Sequence, residues 1–331
     1  MKVVICAIIC LYFAAVEVSL ADGGDGVGFR VIQLNVSASS GVVDVGVWYP
    51  TADLAKTEVV GPVTMQVAKN AAILPSIKGL IVISHGFSGN FLGHHDTAVY
   101  LAQQGYMVAA PTHPDVNGVK SMKPHLDPLV VRPHLITRVL DQVTADPSLQ
   151  TKFEREDVGI IGFSLGTYTS LRLLGAEVDF GGLEEYCSEN PGDAILCSSG
   201  AKQRFRPLTP LFTNERDERI GAAVLMGPAY GPLFIRQTLS KIDKPIRIYT
   251  AEKDEEVDNR HNAHHVAKSL PRRPAIEVIQ RAGHYVFMAP CSDAFAAALP
   301  FLCRDAVGVD RKAIHEKLNL EITLFFDENL K

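Results

Sequence analysis

Several features are scarce in this chain of 331 residues, and each scarcity excludes something. Positive charge is not in surplus: 32 Lys and Arg stand against 37 Asp and Glu, a formal net charge of -5 at pH 7. That balance argues against an electrostatic grip on nucleic acid or anionic lipid. No interior stretch is rich enough in Pro, Gly or Ser to serve as a linker, and no segment repeats another, so one domain is expected. No H-E-x-x-H or comparable spacing of metal ligands occurs among the 11 histidines. His261, His264 and His265, and the pair His94 and His95 beside Asp96, are read as polar helix faces, and neither a metal nor another cofactor is expected. Long apolar runs are also missing, apart from Val3 to Val16, which is short for a membrane span.

That run follows Lys2 and is followed by Ser19-Leu20-Ala21, with small residues where a signal peptidase reads. Residues 1–21 are therefore predicted to be a secretory signal, and residues 22–331 a secreted or periplasmic chain with no stable membrane anchor. The cluster Asp22-Gly23-Gly24-Asp25-Gly26 lacks a strand before it and a helix after it, so it reads as a solvated leader and not a dinucleotide fingerprint. Asn35-Val36-Ser37 fits a glycosylation sequon, within a predicted strand.

Of six cysteines, Cys6 and Cys10 fall in the signal and Cys187, Cys197, Cys291 and Cys303 in the mature chain. Four cysteines in an exported chain suggest two disulfides, with three pairings available; the local pairs Cys187 with Cys197 and Cys291 with Cys303 are preferred. One unbroken helix from 291 to 303 would separate those Cα atoms by roughly 18 Å, beyond a disulfide's reach of about 7 Å. Pro300 answers the objection by ending the helix near Leu299.

Apolar residues make up 47% of the chain and charged residues 21%, an ordinary globular balance with a large core. Val27 to Val36 and Val42 to Tyr49 are rich in β-branched residues and separated by a short polar connection, which predicts an antiparallel pair. Residues 51–77 read as a looser excursion. From Lys78 onward strands and helices alternate, the pattern of a mostly parallel sheet covered on both faces. Strands are predicted at Gly79 to Ser84, Tyr106 to Ala110, Val158 to Gly162, Ile220 to Met226, Pro245 to Thr250 and Ile276 to Gln280. Helices are predicted at His95 to Gln104, Pro133 to Ala145, Leu165 to Leu174, Asn259 to Leu270 and Ser292 to Leu299. Residues 176–219 break the rhythm with a polar, cysteine-bearing insertion, a candidate cap over the strand ends.

Gly162-Phe163-Ser164-Leu165-Gly166 follows one of these strands and opens a helix. On such a sharp turn the small residues let the backbone fold tightly and push the serine hydroxyl out, which makes Ser164 a candidate nucleophile. A hydroxyl needs a base, and His284, in Ala282-Gly283-His284-Tyr285 just beyond the last strand, is the candidate. Asp254, four residues after Thr250, is the candidate carboxylate that orients the imidazole; Asp258 is its rival, although it is placed to cap the helix expected from Asn259. An oxyanion would be met by the backbone N–H of Leu165 and by that of Phe87, in Ser84-His85-Gly86-Phe87-Ser88-Gly89.

In this order of elements the chain resembles the α/β-hydrolase family, from about Val27 to the C-terminus, and is closest to predicted dienelactone hydrolases and platelet-activating-factor acetylhydrolase-like serine esterases. Ala109 to Pro114, Gly283 through Cys291 and Asp310 through Phe326 support the likeness. The resemblance implies an α/β-hydrolase fold and a serine hydrolase that cleaves small-molecule carboxylic esters through an acyl-enzyme. Two departures limit it. True dienelactone hydrolases use cysteine where this chain has Ser164, and the acetylhydrolases carry their acid after an earlier strand, where this chain reads Met226-Gly227-Pro228-Ala229-Tyr230. A lipase, thioesterase, amidase or acyltransferase would use the same machinery, and a binding module on the same scaffold is the reading without catalysis.

Overall fold

Six-residue runs such as Val158–Phe163, apolar at every position, suit strands buried on both faces, and they form the centre of this protein. The computed structural model describes residues 26–37, 41–114, 126–198 and 204–331. The expected signal, with Cys6 and Cys10, lies outside the described residues, as does part of the expected cap.

Among the described residues the strands are β1 Gly26–Ser37, β2 Gly41–Thr51, β3 Lys56–Val60, β4 Val63–Lys69, β5 Ser76–Ile77, β6 Gly79–Ser84, β7 Tyr106–Pro111, β8 Lys152–Phe153, β9 Val158–Phe163, β10 Ile220–Met226, β11 Ile246–Ala251 and β12 Ala275–Ile279. Ten of them form one sheet in the order β12-β11-β10-β9-β6-β7-β2-β1-β4-β3, and β5 pairs separately with β8. From β12 to β7 all neighbours run parallel, whereas β2 is antiparallel to both β7 and β1. The chain leaves β6 for β7 on one side and returns to β9 on the other. In an open parallel sheet such a reversal leaves a crevice beyond the strand C-termini, between β6 and β9.

Helices cover both faces. The helices α1 His95–Gln103 and Arg311–Asn329 pack with Trp48, Ile81 and Ile161 on one side, while α2 Pro128–Ala145 and α3 Leu165–Leu173 pack with Val47, Val82 and Ile160 on the other. Ile160 and Ile161 are both fully buried, and each such side chain contributes roughly 1.5–3 kcal/mol. No helix among the described residues is long and apolar enough to cross a membrane.

Four expectations need correction. The excursion at 51–77 holds the hairpin β3–β4, closed by Gly61-Pro62, with Met65 and Val67 buried and β4 parallel to β1. The helix expected from Pro133 starts at Pro128, because the Asp127 carboxylate accepts the Leu129 N–H at 3.0 Å and caps it. Pro133 then sits inside the helix and offers no N–H to the Leu129 carbonyl; the Tyr168 hydroxyl donates to that carbonyl instead, at 3.1 Å. The helix expected from Asn259 spans only Ala263–Ser269. The side chain of Asn262 is engaged with Gly231 N–H and the Asp258 carbonyl, and Asp258 accepts from Arg260 N–H in a turn, so it caps no helix. Finally, the long helix Arg311–Asn329 was not expected, since four of its seven buried positions are the polar residues Arg311, His315, Asn319 and Thr323.

The structure joins Cys187 to Cys197 and Cys291 to Cys303. Between the second pair the helix Asp293–Ala298 stops before Leu299, and a separate turn, Pro300–Cys303, brings the Cα atoms to 5.8 Å. Asn35 is exposed near the end of β1.

Candidate active site

β9 ends at Phe163 and α3 begins at Leu165, so Ser164 alone makes the turn, with φ 51° and ψ −117°. A non-glycine residue held there costs about 1–3 kcal/mol, and its neighbours must hold it. Its N–H donates to the Met226 carbonyl at 2.9 Å, and its carbonyl accepts the Thr167 N–H at 2.9 Å and the Thr167 hydroxyl at 2.6 Å. The flanking glycines are a steric requirement. A Cβ on Gly166 would lie 1.8 Å from the Ser84 carbonyl oxygen, and one on Gly162 would lie 2.4 Å from that of Gly166.

The loops after β11 and β12 are tied together by backbone bonds, Glu252 N–H to Ile279 and Lys253 N–H to Ala282. Across this junction His284 Nδ1 lies 2.8 Å from Asp254 Oδ2, with both side chains buried. The other carboxylate oxygen, Oδ1, accepts the N–H groups of Glu256 at 3.1 Å and Val257 at 2.9 Å, which fixes the plane of the group. A carboxylate only accepts, so Nδ1 carries the proton between them, and in the neutral tautomer this leaves the lone pair on Nε2. The imidazole rests against the Phe163 ring, centroids 4.9 Å apart. Asp258 takes no part: it is exposed and paired with Arg260.

Gly227, after β10, has φ 54°, and a Cβ there would lie 3.1 Å from His284 Cε1 and 3.7 Å from Asp254 Oδ2. Gly227 thus leaves room beside His284 for Asp254, the carboxylate that follows the next strand.

On the β6 side, Gly86 approaches the turn so closely that a Cβ on it would be 3.4 Å from Ser164 Cβ. Phe87 follows, half-exposed. The N–H of Leu165 belongs to the first turn of α3, whose amides have no acceptor within the helix and present partial positive charge.

Ser164, His284, Phe87 and Leu165 share one cavity of about 600 Å³. Two walls come from disulfide-held segments: Ala194, Ile195 and Ser198 beside Cys187–Cys197, and Leu299, Phe301 and Leu302 between Cys291 and Cys303. The insertion 176–219 thus borders the cavity, and Arg204 from it is anchored to Asp127 at 3.0 Å. His94 also lines the cavity; burial lowers its pKa to about 4, so it is neutral.

Sequence reasoning missed Arg132 and His315. Arg132 is fully buried beneath the Gly86 loop, and its signal was a cation inside the apolar run Leu129-Val130-Val131. His315 lies under the loop that carries His284, with Nδ1 2.6 Å from Asp96 Oδ2 and Nε2 2.8 Å from the Val286 carbonyl. Among the described residues no group of three or more His, Cys, Asp or Glu is arranged to hold a metal ion.

No protein-family model matches the chain, and no curated protein sequence matches it. Solved structures do match. A ferulic acid esterase from Streptomyces cinnamoneus is 17% identical with a TM-score of 0.59, over 92% of this chain and 89% of that one. A cold-adapted esterase from an Arctic intertidal metagenomic library is 15% identical with a TM-score of 0.51, over 92% and 95%. A dienelactone hydrolase from Anabaena variabilis is 14% identical with a TM-score of 0.51, over 92% and 99%. At such identities the likeness is one of architecture, and together with the parallel sheet flanked by helices it identifies the chain as having the α/β-hydrolase fold.

Proposed function

We propose that the protein is a serine hydrolase that cleaves carboxylic esters of small molecules through an acyl-enzyme on Ser164. The observation that carries this reading is that His284, paired with the buried Asp254, lines the same cavity as a serine held at φ 51° on a strand-to-helix turn. Two of the structural neighbours are named as esterases.

Ser164 Oγ attacks the ester carbonyl while His284 Nε2 takes its proton. Asp254 keeps the imidazole in the tautomer that can accept it and stabilises the imidazolium. The carbonyl oxygen, now carrying the negative charge, is met by the N–H groups of Leu165 and Phe87, each worth about 10² to 10³ in rate. The imidazolium then protonates the leaving alcohol. Water, deprotonated by His284, attacks the acyl group and releases the acid, returning the proton to Ser164 Oγ. Two disulfides and the signal-like residues 1–21 support export as the protein's destination.

The test is hydrolysis of an acyl-ester panel graded by chain length, run beside matched amides and thioesters. The parent is expected to favour oxygen esters, and Ser164→Ala and His284→Ala to lose nearly all turnover. A parent faster on the amides or thioesters would reassign the substrate class.

A further inference from the structure

An oxyanion donor that is a backbone N–H has no side-chain rotamer to fix it; its direction is set by the plane of its peptide. In a trans peptide the C=O and the following N–H point in opposite directions, and among the described residues no peptide is cis. Whatever holds the carbonyl therefore aims the amide.

Both carbonyls ahead of the Phe87 amide are held by one side chain. Arg132 Nη1 donates to the His85 carbonyl at 2.5 Å, and Nη2 donates to the Gly86 carbonyl at 3.0 Å. The Gly86 carbonyl also lies 2.6 Å from His85 Nδ1. His85 Nε2 accepts the His113 N–H at 2.9 Å, so the ring proton is on Nδ1 and points at Gly86. With these oxygens turned toward Arg132, the N–H groups of Gly86 and Phe87 are turned away from it, and both residues line the cavity with Ser164.

The arrangement depends on a guanidinium. Its planar fork matches two acceptors at fixed spacing, while an ammonium is a single point that cannot orient two peptide planes together. Arg132 reaches this place because α2 begins at Pro128, more than a turn before Pro133. Without the fork the His85 carbonyl loses its Nη1 donor, and the Gly86 carbonyl is left to donors of its own loop, the His85 Nδ1–H at 2.6 Å and the Gly89 N–H at 3.3 Å, so the loop can turn as a unit and carry the Phe87 N–H away from the reacting carbonyl.

We propose that Arg132 is the positioning residue of the oxyanion hole, clamping the His85 and Gly86 carbonyls so that the Phe87 N–H faces the oxygen that becomes negative. This rests on the acyl-enzyme reading above.

The test compares the parent with Arg132→Met, Arg132→Lys and Arg132→Gly, measuring kcat and KM on one ester and affinity for a trifluoromethyl ketone, which forms the tetrahedral oxyanion on serine. Arg132→Met is expected to lower kcat by about 10² to 10³, as loss of one oxyanion donor does, with KM within threefold. Ketone affinity is expected to fall by the same factor, Arg132→Lys to lie between Met and the parent, and added guanidinium to restore part of kcat to Arg132→Gly. A merely structural role would not couple kcat to ketone affinity at constant KM, nor respond to guanidinium. A folded Arg132→Met with kcat within threefold of the parent, or with reduced kcat and unchanged ketone affinity, overturns the proposal. Should no variant fold, a crystal structure of the parent's ketone adduct decides: an oxyanion bonded elsewhere than to the Phe87 N–H, or a Gly86 carbonyl released from Arg132, overturns it. A parent that neither hydrolyses esters nor binds the ketone refutes the acyl-enzyme reading and this proposal with it, whereas an active parent beside an equally active Arg132→Met refutes this proposal alone.

Discussion

Replacing Asp254 by Asn exchanges one oxygen for an NH2 group, and the surroundings decide which way the amide lies. Asp254 Oδ1 accepts two backbone N–H groups, from Glu256 and Val257, so in Asp254→Asn the amide oxygen would take that role and the NH2 would face His284 Nδ1. A donor there forces the proton onto Nε2, the nitrogen that accepts the serine proton in the proposed mechanism. The opposite orientation sets NH2 against two N–H donors, sacrificing two hydrogen bonds of about 1 kcal/mol each. In either case the imidazolium formed during turnover loses a buried counter-charge, worth about 3–5 kcal/mol. At 1.36 kcal/mol per decade this is a loss of between about 10² and 10⁴ in kcat. The tautomer error pushes toward the upper end; in the serine-protease triad the same exchange costs about 10⁴. The assay is kcat and KM on a chromogenic ester, with thermal melting as the folding check, and Asp258→Asn, at an exposed position, as a control expected within twofold of the parent. A folded Asp254→Asn enzyme within tenfold of the parent kcat would refute the reasoning.

Two further outcomes follow. The Cys291–Cys303 bond closes a loop with a sequence separation of 12, worth about 3 kcal/mol by chain entropy, so the double change to Ser is expected to lower Tm by roughly 5–10 °C. Because Leu299, Phe301 and Leu302 border the cavity, KM should rise while kcat stays close to the parent value; an unchanged KM would mean that this wall does not hold substrate. The second concerns His315, both of whose ring nitrogens face groups that only accept, so it is an imidazolium. Burial and Arg311 lower its pKa, but Asp96 and the Val286 carbonyl outweigh them and raise it above 6.5. For Asp96, burial raises the pKa, yet His315, by charge and hydrogen bond, brings it down to about 2. The His315 contribution is thus complete below about pH 6.5 and lost as pH rises through the folded pKa, while that of Asp96 is present above about pH 3.8 and lost toward pH 2. Tm of the parent is expected to exceed that of His315→Gln at pH 5, with the gap narrowing toward pH 9; a gap that is constant or widens contradicts the charged pair.

The strands that carry the site were legible because burial on both faces leaves no polar position to blur them: β6 and β10 have the predicted bounds, and β9 extends one residue further. Asp254 and His284 could be proposed because each follows a parallel strand closely, and the cavity brings Ser164, His284, Phe87 and Leu165 to one place. Arg132 was hidden by Pro133. A proline reads as a helix start, and only the structure has Asp127 capping an earlier turn and Tyr168 bonding the carbonyl that Pro133 leaves. Arg311–Asn329 was hidden by its own chemistry, since Asn319 and His315 are buried for polar partners across the fold and so break the apolar period. The room that Gly227 leaves beside His284 is a matter of tertiary approach, which no local pattern encodes.

The central claim, that Ser164 is the nucleophile, is tested most directly by treating the purified chain with a fluorophosphonate and locating the adduct by peptide mass spectrometry. One adduct is expected, on Ser164 in the peptide containing Gly162-Phe163-Ser164-Leu165-Gly166, absent from Ser164→Ala and slowed strongly in His284→Ala. A native parent that takes up no label, or a Ser164→Ala chain labelled as fast as the parent, would contradict it.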